Sequence, residues 1–376
     1  HSRFKCDWSS DVCSSDLPVK IDNEGDFFSS IVPGGIEKFS KELYNLFPDI
    51  FIPIEITKEI RSHQATGKVF KKAIEKYVPD AVLSNEVDPT FTKFFQNYNI
   101  PLMWIVHRQL SRDSVLLKLI PNFNSIMKND AHVYFVSENQ YHFHDEMFKR
   151  ISGSGINGIK GYINPSYVDK DFKVKSEHQY DCCTIGRNDF VKDPFWVHRK
   201  AKGTGLSSIV ITGSLRSKKE FQKEYYEKNL NWQNPQYTVR DLPYVDVIDK
   251  MSSSKVFVAT CYFESWGIAA MEALSCGLPL LIVTDIRGNH SSIGIASNSS
   301  EYLKIRKNAN SKEFKEKILK LSEISYEQRL EIAENAKNKH SKENFKKQIE
   351  EMIDRRMSQK ENRIITLPSL ERFFND

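Results

Sequence analysis

Residues 255–284 read Lys255-Val256-Phe257-Val258-Ala259-Thr260-Cys261, then Tyr262-Phe263-Glu264-Ser265-Trp266-Gly267-Ile268-Ala269-Ala270-Met271-Glu272-Ala273-Leu274-Ser275, then Cys276-Gly277-Leu278-Pro279-Leu280-Leu281-Ile282-Val283-Thr284. The first run is short, apolar and rich in β-branched and aromatic residues, as a strand buried on both faces requires. A helix opens near Gly267, a Cys-Gly-Leu-Pro turn ends it, and Pro279 to Thr284 is a second buried strand. Strand, helix and strand in succession specify a parallel sheet covered by helices. Ligands in such sheets bind at the carboxyl ends of the strands, which is where Glu264 lies. Gly267 permits close approach to the backbone, and the free N–H groups from Gly267 through Ile268 to Ala269 can hold an anion. Glu272 sits deeper in the helix. Carboxylates accept hydrogen bonds from hydroxyl groups while the helix end takes phosphate, so the pattern suits a ligand carrying both.

Working outward, the same alternation continues in both directions. Val19-Lys20-Ile21 reads as a first strand, and Gly34 and Gly35 open a helix over Ile36 to Phe47 with Ile36, Phe39, Leu43 and Leu46 at helical spacing. Further strands are read at Ala81 to Leu83, Pro101 to His107, Val133 to Val136 and Ile159 to Ile163. A second set follows at Tyr180 to Ile185, Ser208 to Thr212, Lys255 to Cys261 and Pro279 to Thr284. The fold class is therefore α/β, with two doubly wound domains. The first spans 18–168, a polar linker 169–179, the second 180–345, and a terminal helix and tail 346–376.

Residues 7–17 read Asp-Trp-Ser-Ser-Asp-Val-Cys-Ser-Ser-Asp-Leu, which coincides with a translated frame of a short-read sequencing adapter. Residues 1–17 are therefore set aside as an artefact or a disordered lead. The chain has 376 residues, 40% apolar and 27% charged, the balance of a globular protein with more than one core. No apolar run approaches the roughly 18 residues of a membrane helix. The formal charge of +5, or +6 without residues 1–17, allows an anionic substrate without demanding nucleic acid. Cys182, Cys183, Cys261 and Cys276 lie in apolar stretches and read as reduced thiols of a cytoplasmic protein.

A second motif is Ile185-Gly186-Arg187-Asn188-Asp189-Phe190-Val191-Lys192. A strand ends at Gly186 and two cations follow, five residues apart. Fixed cations stabilise the negative charge that gathers on a departing diphosphate. Alone, an arginine and a lysine on a loop are ordinarily solvated surface; their place ahead of the Glu264 segment changes that reading. Pro33-Gly34-Gly35-Ile36-Glu37 is weaker, a helix start that lets phosphate or sugar approach the backbone. His107 closes a strand, a position where a lone histidine is ordinarily structural. His142, His144, Asp145 and Glu146 fall on one helix and read as surface rather than as a metal cluster.

Glu264 and Glu272 make an E-x7-E spacing, and with Gly267 and the Ser-Cys-Gly-Leu-Pro continuation the chain resembles the family 4 glycosyltransferases over roughly residues 18 to 350. The resemblance implies a GT-B fold and retaining, metal-independent transfer of a hexose from a nucleotide-diphosphate sugar, with no cofactor. It implies that Glu264 contacts the transferred sugar and Glu272 the ribose. It gives the diphosphate to Arg187 and Lys192, aided by backbone at Gly34, Gly35, Gly267 and Ile268. It places His107 near the sugar and the acceptor. Ser137-Glu138 and Asn164-Pro165 match further landmarks to which no chemistry is assigned. No Asp-x-Asp signature appears where a metal-dependent transferase would keep it. Two departures stand out. Thr260 occupies a position where the family often has proline, and residues 286–293 lack the second glycine and the glutamate of a Gly-Gly-x-Pro-Glu run.

The last residues, Leu367 to Asp376, carry Leu370, Phe373 and Phe374 at i, i+3 and i+4, one face of a helical turn. Such a face either docks on its own protein or enters a partner's groove. It looks like the terminal peptides that bind DNA sliding clamps, and phage DNA α-glucosyltransferases share the fold and donor motifs. The acceptor is thus a glycan, a lipid or a hydroxymethylated DNA base. A non-catalytic sugar-nucleotide-binding protein is the alternative from another class.

Overall fold

The structure is a computed structural model. It describes residues 4–8, 35–55, 71–72, 74–84, 98, 100–107, 131–152, 158–168, 172–188, 191–213, 225, 227–229, 231, 238–261, 264, 266–284 and 294–358. The chain divides into two compact units, one of residues 1–166 with 345–376 and the other of residues 167–344.

The first unit holds β1 (Phe4–Trp8), β2 (Phe51–Glu55), β3 (Ala81–Ser84), β4 (Leu102–Val106), β5 (His132–Phe135) and β6 (Ile159–Tyr162). The strands pair in parallel in the order β2-β1-β3-β4-β5-β6. β3, β4 and β5 are wholly buried, and β4 is accordingly apolar throughout. The second unit holds β7 (Tyr180–Ile185), β8 (Ser208–Thr212), β9 (Thr238–Arg240), β10 (Ser254–Ala259), β11 (Leu280–Thr284) and β12 (Tyr302–Arg306). These pair in parallel in the order β12-β11-β10-β7-β8-β9. Its core joins Cys182, Val256, Val258, Leu281 and Val283 from the strands to Trp196, Val197, Phe314 and Ile318 from helices. The two sheets, each covered by helices, are the α/β architecture expected from the sequence.

Three expectations are corrected. Residues 1–17 are not wholly outside the fold: Phe4–Trp8 is an inner strand, paired with β2 on one side and β3 on the other. The two-residue recurrence of Phe4, Cys6 and Trp8 is a strand period, and the alternative first strand at 19–21 lies outside the described residues. The stretch 169–179 is not a free linker, since its described part packs on the second unit. Phe172 is buried, Lys175 meets Asp249 at 2.6 Å, and Gln179 N–H donates to the Ser253 carbonyl at 2.7 Å. Third, the terminal helix Lys342–Met357 belongs with the first unit from Phe345 onward. There Phe345 meets Phe39, Gln348 accepts from the Asn164 N–H at 2.8 Å, and Arg355 donates to the Lys160 carbonyl at 2.8 Å.

Cys182, Cys183, Cys261 and Cys276 are free and buried. Among the described residues no helix is long and apolar enough to cross a membrane. Leu370, Phe373 and Phe374 lie outside the described residues.

Candidate functional site

In the second sheet β7 and β10 are neighbours, although β8 and β9 lie between them in the chain. Connections leave this point in opposite directions, so the loops at the strand carboxyl ends part and a crevice opens. Both motifs leave from here: Gly186 to Lys192 follows β7, and Glu264 follows β10.

The β7 loop folds tightly onto its own start. A Cβ at Gly186 would stand 3.1 Å from the Lys192 Cβ, and Gly186 N–H donates to the Ile211 carbonyl at 3.1 Å. Lys192 Nζ then reaches across the switch point to Glu264 Oε2 at 2.5 Å, with the two side chains 24% and 19% exposed. Thr260 Oγ1 donates to the Lys192 carbonyl at 2.6 Å. The residue that departs from the familiar proline thus ties β10 to the lysine loop. Burial opposes the charge on Lys192, but the Glu264 carboxylate outweighs it and holds the ammonium pKa above its ordinary value. Arg187, exposed on the same loop, acts in the opposite sense. The structure therefore brings Arg187, Lys192 and Glu264 into one electrostatic cluster.

Asp193, directly after Lys192, holds the loop from beneath. Its φ is +38°, a conformation few L residues adopt and one that aspartate tolerates better than most. Arg199 Nη2 donates to both carboxylate oxygens at 2.7 Å. Tyr225 Oη donates to Oδ1 at 2.8 Å, and Lys307 Nζ lies 2.7 Å from Oδ2. Burial, seconded by the Asp193 charge, raises the Tyr225 phenol pKa well above ordinary. Burial pulls Lys307 down, with Asp193 opposing.

Helix Ile268–Ser275 starts from Gly267, whose φ of +98° and ψ of 63° are left-handed and suit glycine. Ala270 and Met271 N–H groups return to the Gly267 carbonyl. The N–H groups at the start of the first turn have no acceptor within the helix and stand at the positive end of its dipole. Glu272 is buried one turn on, and Tyr244 Oη donates to its Oε1 at 2.7 Å. Gly277, with φ +76°, ends the segment where a Cβ would stand 2.7 Å from the Arg329 carbonyl oxygen.

In the first unit Gly35 begins helix Gly35–Leu46, as the Gly-Gly reading expects, and Gly34 lies outside the described residues. His107 follows β4, half-buried, edge-to-face with Phe39 of that helix at 5.2 Å. His144 is not on the surface. It is buried, stacked on Phe135 at 4.8 Å, and its Nδ1 meets the Gln140 carbonyl at 2.7 Å. Burial lowers its pKa to about 4. Among the described residues no group of three or more His, Cys, Asp and Glu side chains is placed to hold a metal.

Thr260, Tyr244 and Asp193 are contacts that sequence reasoning missed. Thr260 was visible only as a departure from pattern, and Asp193 only by adjacency to Lys192. Tyr244 gave no signal, since it meets Glu272 across 28 residues.

Solved structures similar to the chain share its two-sheet architecture. The solved structures similar to the chain include a glycosyltransferase from Rickettsia africae, with TM-score 0.65, 12% identity, and coverage of 96% of this chain and 100% of that one. The Anabaena protein HepE in complex with UDP and glucose gives 0.64, 13%, 94% and 100%. Sucrose-phosphate synthase from Thermosynechococcus elongatus gives 0.62, 14%, 83% and 82%. The fold is thus of GT-B type, two parallel-sheet units covered by helices. Residues 196–339 match the family model described as Glycosyl transferases group 1, a span that includes Glu264, Gly267 and Glu272. No curated protein matches the chain by sequence.

Proposed function

We propose that the chain is a retaining, metal-independent glycosyltransferase of the family 4 type. In this reading it moves a hexosyl group from a nucleotide-diphosphate sugar to an acceptor hydroxyl. The observation that carries the proposal is the Lys192–Glu264 pair at the β7/β10 switch point, with Arg187 beside it and Glu272 on the helix that follows. As the glycosidic bond breaks, negative charge gathers on the diphosphate; Arg187, Lys192 and the N–H groups near Gly267 and Ile268 stabilise it without a metal. Glu264 orients the sugar, which passes through an oxocarbenium-like state. Glu272, its carboxylate already fixed by Tyr244, accepts from the ribose hydroxyls. In this reading His107 serves the sugar and acceptor, and the Gly34-Gly35 backbone aids the diphosphate. Four free, buried cysteines fit a reducing compartment such as the cytoplasm.

HepE has been solved with UDP-glucose, which makes that compound the first donor to try. The acceptor class we favour is a glycan or lipid, because the support for a DNA base rests on residues 370–374. The test is release of nucleoside diphosphate by the full chain from UDP-glucose, UDP-N-acetylglucosamine, ADP-glucose and GDP-mannose. Turnover of one donor is expected, with loss of at least about 100-fold in Glu264→Gln. Equal rates in wild type and Glu264→Gln would refute the assignment.

A further inference from the structure

Asn188 lies between Arg187 and Lys192 in the β7 loop and has no part in the mechanism above. It is 4% exposed, and neither its amide oxygen nor its amide nitrogen has a hydrogen-bond partner. A primary amide carries two donors and two acceptor lone pairs, and leaving both ends unmade in a buried place is destabilising. A leucine has nearly the same shape and would fill the position without that penalty. Further along the chain, Lys192 pairs with Glu264 and its carbonyl accepts from Thr260, and Asp193 pairs with Arg199, Tyr225 and Lys307. Asn188 thus carries an unmet amide in the loop that the proposed donor must touch.

The two unmet ends also constrain the ligand. A phosphate or carboxylate oxygen only accepts, so it would serve the amide nitrogen and leave Oδ1 unpaired. An ammonium would serve Oδ1 alone. A hydroxyl both donates and accepts, and one hydroxyl or a neighbouring pair satisfies both ends. Of the two hydroxyl-bearing parts of a nucleotide sugar, the ribose is given to Glu272, buried in the following helix. Asn188 lies in the loop whose lysine pairs with Glu264, the carboxylate given to the sugar. We propose that Asn188 is a specificity-determining residue that pairs with a hydroxyl of the transferred sugar. This rests on the donor reading above. A site built to hydrogen-bond a hydroxyl rejects analogues that lack it, because the protein's own groups are then left unpaired.

The test uses the full chain, with Asn188→Leu as the shape-matched variant and Asn188→Ala as a smaller one. Calorimetric titration with UDP and UDP-glucose is paired with thermal melting in the absence of ligand. We expect Asn188→Leu to weaken UDP-glucose binding at least about 10-fold, to change UDP binding by less than about 2-fold, and to raise the melting temperature of the free protein. Asn188→Ala should show the same ligand pattern. A lower melting temperature in Asn188→Leu would mean the amide is paired within the protein, and would overturn the inference. Equal weakening of UDP and UDP-glucose would also overturn it, by moving the contact to the nucleotide. If wild type binds UDP-glucose and both variants bind it equally well, this inference alone fails. If wild type binds none of the four nucleotide sugars named above, the donor reading fails and takes this inference with it.

Discussion

Replacing Lys192 with methionine separates its pairing with Glu264 from the diphosphate role proposed for it. In the free protein its ammonium sits 2.5 Å from Glu264 Oε2, and both side chains are largely buried. Removing it leaves a carboxylate without its counter-charge, a loss of about 1–3 kcal/mol, with the lower half of that range expected because water reaches part of the pair. In the proposed transfer the same ammonium faces the departing diphosphate, where loss of one fixed electrostatic donor costs about 3 kcal/mol, or roughly 100-fold in kcat. Denaturant unfolding measures the first effect, and steady-state release of nucleoside diphosphate the second. The double variant Lys192→Met/Glu264→Gln removes the stranded carboxylate and should regain stability to within about 1 kcal/mol of wild type. Its activity should stay low. A Lys192→Met protein with kcat/KM within about threefold of wild type would refute the reasoning, because no cation on a leaving diphosphate is worth so little.

Asp193→Ala leaves Arg199 and Lys307 without their shared carboxylate and should destabilise by about 3 kcal/mol, while Asp193→Asn, which keeps a side chain suited to φ +38°, should lose less; unfolding curves of both variants check this. His144 and His340 are buried and lowered to about 4, chiefly by burial. Below their unfolded pKa of about 6.5 the unfolded chain binds more protons, so their contribution is full above that pH and falls away toward pH 4, by up to about 3 kcal/mol each. Stability measured at pH 7 and at pH 4.5 should therefore fall less in His144→Phe than in wild type. Transfer should survive excess EDTA, since Arg187 and Lys192 supply the positive charge; loss of activity restored by Mg²⁺ or Mn²⁺ would contradict the site as drawn.

Strands buried on both faces announced themselves. Leu102 to Val106 and Leu280 to Val283 fall where the apolar runs place them, because each is apolar and buried at every position. The strands that escaped are at edges or in unexpected places. β2 contains Pro53, which argues against a strand until the position proves to be an edge, where a missing donor is tolerated. β9 has three residues, and β12 alternates Tyr302, Leu303, Lys304, Ile305 and Arg306 at the other edge of its sheet. The glutamates, glycine and cations of the candidate site could be named from sequence because their spacing is local to one loop and one helix turn. Tyr244, Thr260 and Asp193 were not, because each acts through a contact made only when distant segments meet. The Gly186–Lys192 approach shows the same limit: both residues were named, but only the fold shows that the glycine leaves room for the lysine.

The central claim is that this site transfers a sugar with retention of configuration. Proton NMR of the full chain turning over UDP-glucose, or whichever of the four donors it accepts, reads the anomeric proton of the first product directly. The account predicts an α-linked product from an α-linked donor, formed at a rate that falls at least about 100-fold in Glu264→Gln. A β-linked product formed first, or no cleavage of any of the four donors by wild type, would contradict it.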